Sequence, residues 1–405
     1  MDTLKDFSSK ETMTIDPDYA IIKEKLGNTG NKLKRIYEID FTRACSCIGI
    51  IITHYFSHAI KPQIKFLYIS ANSGYGFMYV TVFFSISGIA LFNKYSKKFS
   101  LIQFFFRRWK SIFPPFYISY FFFFVKTILN CKNKKFIFKC HPLHFIFTVL
   151  GIDGYFSYKF CVFYLIGEWF LGAIIMIYIL YPILIWKINK LLYIIIIFIS
   201  ISCGYILIIF TKFFNIFFQR NLIVCITSFY FGIISLKYKK YFFENIYIGI
   251  SSFLLLELLC FIKLFKNIII FQIQGFSLFI FLIQVGKYIM NTKIKSFFII
   301  ISNHSFIIFL VHHQIIKEIQ AVIPNEKWVT IIIAITIITL LSLIYSKVIS
   351  LVLNSIFQTN LFKKIEKKFS YSNSKNIQLQ QKEISLIKEN NKKEEKIYLK
   401  QNKFI

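Results

Sequence analysis

From its N-terminus the chain is polar as far as Asp40, and beyond that point long apolar stretches alternate with short polar breaks. A helix needs roughly 20 mostly apolar residues to cross the hydrocarbon core of a bilayer. Runs of that kind, bounded by Lys, Arg, Asn or Pro, lie at 41–60, 76–93, 110–129, 163–186, 191–210, 221–236, 246–262, 268–289, 297–317 and 328–353. They predict about ten spans, and therefore an all-α, polytopic transmembrane helix bundle. The run from Leu143 to Ile152 is too brief to cross, and is expected to lie at the interface or fold back on the bundle. Three regions follow: a polar cytoplasmic segment at 1–38, a transmembrane domain at 39–355 and a charged cytoplasmic tail at 356–405. In the tail, Lys, Glu, Asn and Gln replace the apolar pattern, so a solvated helix or a disordered stretch held at anionic headgroups is expected. No internal repeat and no second folded domain is evident.

Composition narrows the class. Of 405 residues, 56% are apolar and 20% aromatic, and the mean hydropathy is +0.59. These values exclude an ordinary water-soluble domain. Against them stand 49 Lys and Arg but only 19 Asp and Glu, a formal charge of +30. A nucleic-acid binder would keep its apolar residues in short amphipathic segments, so no nucleic-acid partner is expected here. Insertion into a lipid bilayer accommodates both numbers, with oil in the spans and cations in the loops. AT-rich coding would also favour the heavy use of Ile, Lys, Phe, Asn and Tyr. The eight cysteines include no C-x2-C pair, which argues against a zinc ribbon or a thioredoxin-type site, and no metal is expected. The polar, partly acidic N-terminus is unlike a cleaved signal peptide.

Cation bias orients the bundle in a cell membrane with both termini in the cytoplasm. The head (Lys5 to Arg35), the second loop (Lys94, Lys97, Lys98, Arg107, Arg108, Lys110) and the Lys-rich tail then lie inside. The loop bearing Lys132, Lys134, Lys135 and Lys139 goes against the rule. Cys131, Cys140 and Cys161 share that outer loop, where two of them could form a disulfide.

An ionisable group inside hydrocarbon is expensive and therefore a functional candidate. Arg43 and His54 are eleven residues apart in the first span, about three helical turns, which returns them to nearly the same face roughly 16 Å apart. Glu168 opens an inward-running span, and His312 and His313 come late in an outward-running one, so these groups and His54 are expected at a similar depth in the outer half. For each there is a plainer reading: a lone buried His satisfied by a hydrogen bond, or an Arg43 that snorkels to headgroups. Glu257 has no motif around it and reads as a helix–helix hydrogen bond. The run Arg107-Arg108-Trp109-Lys110 before Pro114-Pro115 is either an interfacial anchor or a phosphate-recognition site, because the guanidinium fork fits phosphate oxygens. The small and hydroxyl residues of Phe83-Phe84-Ser85-Ile86-Ser87-Gly88 suit close helix packing.

Five motifs in this order resemble the acyltransferase 3 family of integral membrane acyltransferases, which modify cell-surface glycans. Arg35-Ile36-Tyr37-Glu38-Ile39-Asp40-Phe41-Thr42-Arg43 leading to His54 is similar to its opening motif, with Arg and His separated by ten residues. Val82 to Gly88 is similar to its FFxxSG signature, and Phe106 to Pro114 to its R-x-x-R-x-x-P region. Gly167-Glu168-Trp169-Phe170-Leu171 with Tyr181-Pro182 resembles its central span, and Ser302 to His312 its late S-x-x-S-Y-x-x-Y-L-x-H segment. The likeness runs from about residue 35 to 350. It departs where Phe306 and Phe309 replace the usual Tyr, and where the arginine pair is adjacent instead of spaced.

The resemblance implies transfer of an acyl group, most often acetyl from acetyl-CoA, to a hydroxyl of a glycan or lipid-linked saccharide. On that reading Arg43, Arg107 and Arg108 hold the phosphates of the acyl-CoA at the inner face. His54 is the general base, suited to this because the ordinary imidazole pKa lies near neutrality. Glu168 or His312 orients it. A multi-span transporter or lipid-linked glycan flippase is the alternative that buried His, Glu and Arg also allow. Against it, no inverted repeat and no paired Gly- or Pro-broken spans are evident. A glycan polymerase would call for larger outer loops.

Overall fold

The computed structural model describes residues 35–58, 76–96, 99–130, 140–188, 190–210, 216–261, 268–323, 328–366 and 369. Ten long helices dominate the described residues: α1 (Tyr37–Ser57), α2 (Gly76–Tyr95), α3 (Leu101–Asn130), then, after two short helices α4 (Phe145–Val149) and α5 (Asp153–Phe156), α6 (Glu168–Ile185), α7 (Leu191–Phe210) and α8 (Leu222–Lys237); a single turn α9 (Lys239–Phe242) precedes α10 (Ile246–Phe261), α11 (Ile268–Ile289), α12 (Lys295–Val322) and α13 (Trp328–Gln358). No strand occurs among the described residues. The long helices occupy the ten apolar runs. Five of them, α2, α3, α11, α12 and α13, are long and apolar enough to cross a membrane, while α6, α7, α8 and α10 hold shorter apolar stretches. Their outward faces carry residues such as Phe121, Phe198, Leu254 and Ile332, the side chains a bilayer solvates.

Local rules explain several boundaries. Glu38 and Asp40 sit in the first turn of α1, where acidic groups complement the helix dipole. Asn221 caps α8, its side chain accepting the Ile223 N–H at 3.0 Å. Gly167 precedes α6 in a left-handed conformation (φ 84°) that disfavours other residues. The cationic run beginning at Phe106 continues helically, so α3 starts nine residues earlier than the apolar pattern alone suggested. Pro114 and Pro115 lie within α3 and remove two backbone donors, leaving the carbonyls of Lys110 and Ser111 without their intrahelical partners.

Packing centres on α1, which contacts α2, α11, α12 and α13, and on α2, which packs closely along α8. The α2–α8 crossing depends on two glycines. A Cβ on Gly88 would fall on the Phe229 carbonyl, and one on Gly232 on the Ser85 carbonyl. Ser85 Oγ also donates across the pair to the Ser228 carbonyl at 2.9 Å, so the FFxxSG segment does serve close packing. Buried amides add polar ties: Gln272 donates to the Val224 carbonyl and to Ser228 Oγ, both at 3.1 Å, and Gln284 donates to the Phe242, Phe243 and Asn245 carbonyls.

One expectation changes. Glu257 is exposed on the outer face of α10 and takes no part in the bundle interior. The segment from Leu143 to Ile152 forms no spanning helix, as its length implied; it breaks into α4 and the approach to α5. The start of the tail is largely exposed, as its composition suggested. Residues 360–366 are helical and pack back on α3, with Glu366 bonded to Lys110 at 3.2 Å and Phe369 stacked on Phe106 at 4.5 Å. Between α3 and α6, Cys140 and Cys161 form a disulfide; Cys131 lies outside the described residues.

Candidate active site

Helix α1 contributes to both ends of the site. Near its start, Arg43 lines a cavity of about 310 Å³ bounded by α2, α3, α6 and α12. Arg43 Nη1 donates to Ser302 Oγ at 3.4 Å, and that hydroxyl donates in turn to Asp40 Oδ1 at 2.7 Å. Asp40 and Ser302 are buried. A charged residue of the opening motif is thus tied through a hydroxyl of the late motif, 259 positions away, to a carboxylate one helical turn behind it.

Across the cavity stands Arg108 of α3. Its guanidinium lies 5.7 Å from the centre of the Tyr178 ring, and its Nε is buried with no hydrogen-bond partner among the described residues. An unsatisfied buried donor on a cation is a site for an anion. Ser87, Ser111 and Asn303 add polar atoms to the same wall, while Phe83, Ile86, Phe170 and Phe309 make the rest apolar. Of the three predicted phosphate-binding arginines the structure brings Arg43 and Arg108 together. Arg107 does not line the cavity.

At the other end of α1 four histidines meet. The His54 ring centre is 5.2 Å from that of His312 and 4.1 Å from that of His313. His58, one turn beyond His54, has its Nε2 at 2.9 Å from His313 Nδ1. His312 is fully buried, and its Nδ1 lies 2.8 Å from the Phe309 carbonyl. A carbonyl only accepts, so Nδ1 carries the proton and Nε2 keeps its lone pair. The sequence reading named His54 and His312. It passed over His58 and gave no role to His313, although His54 and His58 have the four-residue spacing that places two side chains on one helix face.

Two aromatic rings separate the ends. Phe83 and Phe309 line the arginine cavity and also the gap beneath His312, which is too narrow for a water molecule and is closed by Cys47, Ile50, Ile51 and Ile308. The histidine end faces the disulfide-bearing loop: Gln314 Nε2 donates to the Leu165 carbonyl at 2.8 Å, and the Gly167 N–H to the Leu310 carbonyl at 3.3 Å. Glu168 opens α6 at that level, but its side chain lies outside the described residues. Within the segment between α3 and α6, Asp153 of α5 is buried, accepting from Thr148 Oγ1 at 3.0 Å and from the Gly154 N–H at 2.8 Å. Burial pushes its carboxyl up to about 6, the two hydrogen bonds offsetting part of the rise.

A cationic cavity at one end and clustered imidazoles at the other, separated by an aromatic wall, can bind an anionic molecule and act as a base some distance from the bound charge. A family model described as an acyltransferase domain matches residues 36–347, which contain every residue of this site. Comparison with curated proteins and with solved structures gives no match.

Proposed function

Since the chain belongs to the acyltransferase 3 family and is an integral membrane acyltransferase, we propose that it moves an acyl group, acetyl in the first instance, from cytoplasmic acetyl-CoA to a hydroxyl of a cell-surface or lipid-linked glycan. The observation that carries this reading is the pairing of the two ends within one bundle: Arg43 and Arg108 on a cavity of about 310 Å³, and His54 beside His312 beyond the Phe83–Phe309 wall. The arginines take the phosphates of the donor, and the thioester arm reaches His54 when the Phe83 and Phe309 rings swing aside, since the gap between them is closed in the free protein.

His54 accepts the proton of the acceptor hydroxyl as its oxygen attacks the thioester carbonyl. The C–S bond then breaks, and the protonated imidazole returns the proton to the departing thiolate, leaving an ester and free CoA. His312 acts as a positioning residue. Its Nε2 lone pair is aimed by the Nδ1–H bond to Phe309, which allows it to hold a His54 ring proton and so leave the other His54 nitrogen as the base. Cysteines cross-link in oxidising compartments, so the Cys140–Cys161 bridge supports placing the histidine end, and with it the acceptor, outside the cytoplasm.

The test is release of CoA by detergent-purified protein from acetyl-CoA when acceptor glycan is added. Wild type should release CoA only with acceptor, and His54→Ala, inserted and eluting as a monodisperse species, should lose the activity by at least about 100-fold, as expected for removal of a general base. Normal transfer by His54→Ala would overturn the base assignment. Acceptor-independent wild-type behaviour would overturn the acyl-transfer reading itself.

A further inference from the structure

We propose that His54, His58 and His313 form a binding site for a divalent transition metal of the zinc class, and that an ion bound there switches transfer off. One ligand nitrogen from each of the three rings lies within 4.8 Å of the others. His54 and His58 come from one face of α1, and His313 comes from α12. Imidazole nitrogen is a favoured ligand for zinc and its neighbours, and three histidines with an open fourth position form a familiar tetrahedral set. Zinc–nitrogen bonds of about 2.0–2.1 Å place two ligands on one ion about 3.3 Å apart. The His58–His313 pair, at 2.9 Å, is slightly tighter than that, and all three ligand nitrogens lie within 4.8 Å of one another. Small rotations about the side-chain bonds suffice, because all three rings are only partly buried.

The Gln314–Leu165 and Gly167–Leu310 bonds place this trio toward the disulfide-bearing loop, the compartment in which an external ion would meet it. His312 stays out of the set, its Nδ1 turned to its own helix. The inhibitory half of the proposal rests on His54 being the base: one nitrogen lone pair cannot hold both a metal ion and the proton of an acceptor hydroxyl. Metal binding itself does not depend on that role.

The experiment uses the full chain in detergent, stripped with chelator and then titrated with Zn²⁺ by calorimetry and with Co²⁺ by visible absorption. Wild type should bind about one ion, with the ligand-field bands of tetrahedral nitrogen coordination, which needs no variant to interpret. His58→Gln and His313→Ala should each weaken binding by at least about 10-fold. Undiminished affinity in the double variant, or featureless cobalt spectra in wild type, overturns the site. For the activity arm, Zn²⁺ should slow CoA release by wild type, and His58→Gln should resist it when judged against its own metal-free rate. Zinc that binds wild type through these residues without slowing transfer overturns the inhibition and with it the base role of His54, while leaving the site in place.

Discussion

Arg108→Ala isolates the end of the site proposed to bind the donor. In the free protein Arg108 Nε is buried and unsatisfied, and the guanidinium faces a cavity that otherwise holds one other arginine. A hydrogen bond to a charged group contributes about 1.5–3 kcal/mol. At 1.4 kcal/mol per factor of ten, removing it should weaken acetyl-CoA binding by about 10- to 150-fold. Arg108→Lys keeps the charge but lacks the planar fork, so its loss should fall between wild type and alanine. The thermal midpoint of the free protein should hold or rise in Arg108→Ala, because a buried donor without a partner is a cost to the fold. Equilibrium binding of acetyl-CoA, the KM for each substrate and a melting curve make up the assay. An unchanged donor affinity, or an equal loss for donor and acceptor, would refute the reasoning, since the acceptor is placed beyond the aromatic wall.

Three further outcomes follow from the geometry. Gly232→Val puts a side chain on the Ser85 carbonyl, and because backbone cannot move aside cheaply the α2–α8 crossing must open at a cost of about 1–3 kcal/mol; a clear drop in thermal midpoint is expected, with a fall in acetyl-CoA affinity because Ser87 and Ile86 move with α2. Phe309→Trp should thicken the wall between cavity and histidines, lowering kcat for acetyl transfer while acetyl-CoA affinity holds within about threefold, a split that steady-state kinetics with direct binding would show. Asp153 carries its proton up to about pH 6 in the folded protein against 3.8 ordinarily. The folded state therefore binds more protons than the unfolded one between those values, and stability falls as pH rises from about 4 to about 6, by roughly 3 kcal/mol at most, then levels off. Asp153→Asn should flatten that part of the melting profile; an unaltered slope would assign it to other groups.

Helix positions were legible because the signal is local. An apolar run of sufficient length must satisfy its own backbone, and in hydrocarbon that means a helix. The errors lie where the outcome depends on partners. Glu257 looked buried because its neighbours in sequence are apolar, yet which face of α10 turns outward is decided by α11, which packs on the other side. Arg107 and Arg108 are indistinguishable in sequence, and one helical step of about 100° sends one into the cavity and the other away from it. His58 and His313 are 255 positions apart and no spacing rule joins them; only the H-x3-H pattern at His54 hinted at a second ligand on that face. The tie from Arg43 through Ser302 to Asp40 was hidden for the same reason, although all three residues stood inside the recognised motifs.

The two helices that build the site share a ruler. On α1, Arg43 precedes His54 by eleven residues, and on α12, Ser302 precedes His312 by ten. At about 1.5 Å per residue these intervals span roughly 16 and 15 Å. The Arg43–Ser302 bond and the His54–His312 contact pin the helices together at both ends, so α1 and α12 run in the same direction with nearly equal intervals between the cationic end and the imidazole end. That near match explains why the spacing of the opening and late motifs carries information that neither motif's composition does. The phosphates and the thioester of an acyl-CoA are separated by a flexible arm, and a binding site at one end is useful to a base at the other only if the protein holds that distance. Anion binding and proton removal also conflict if they are too close, since a guanidinium beside the base would hold its lone pair against protonation. On the proposed reading, separating them along two parallel helices, with Phe83 and Phe309 between, lets one bundle do both.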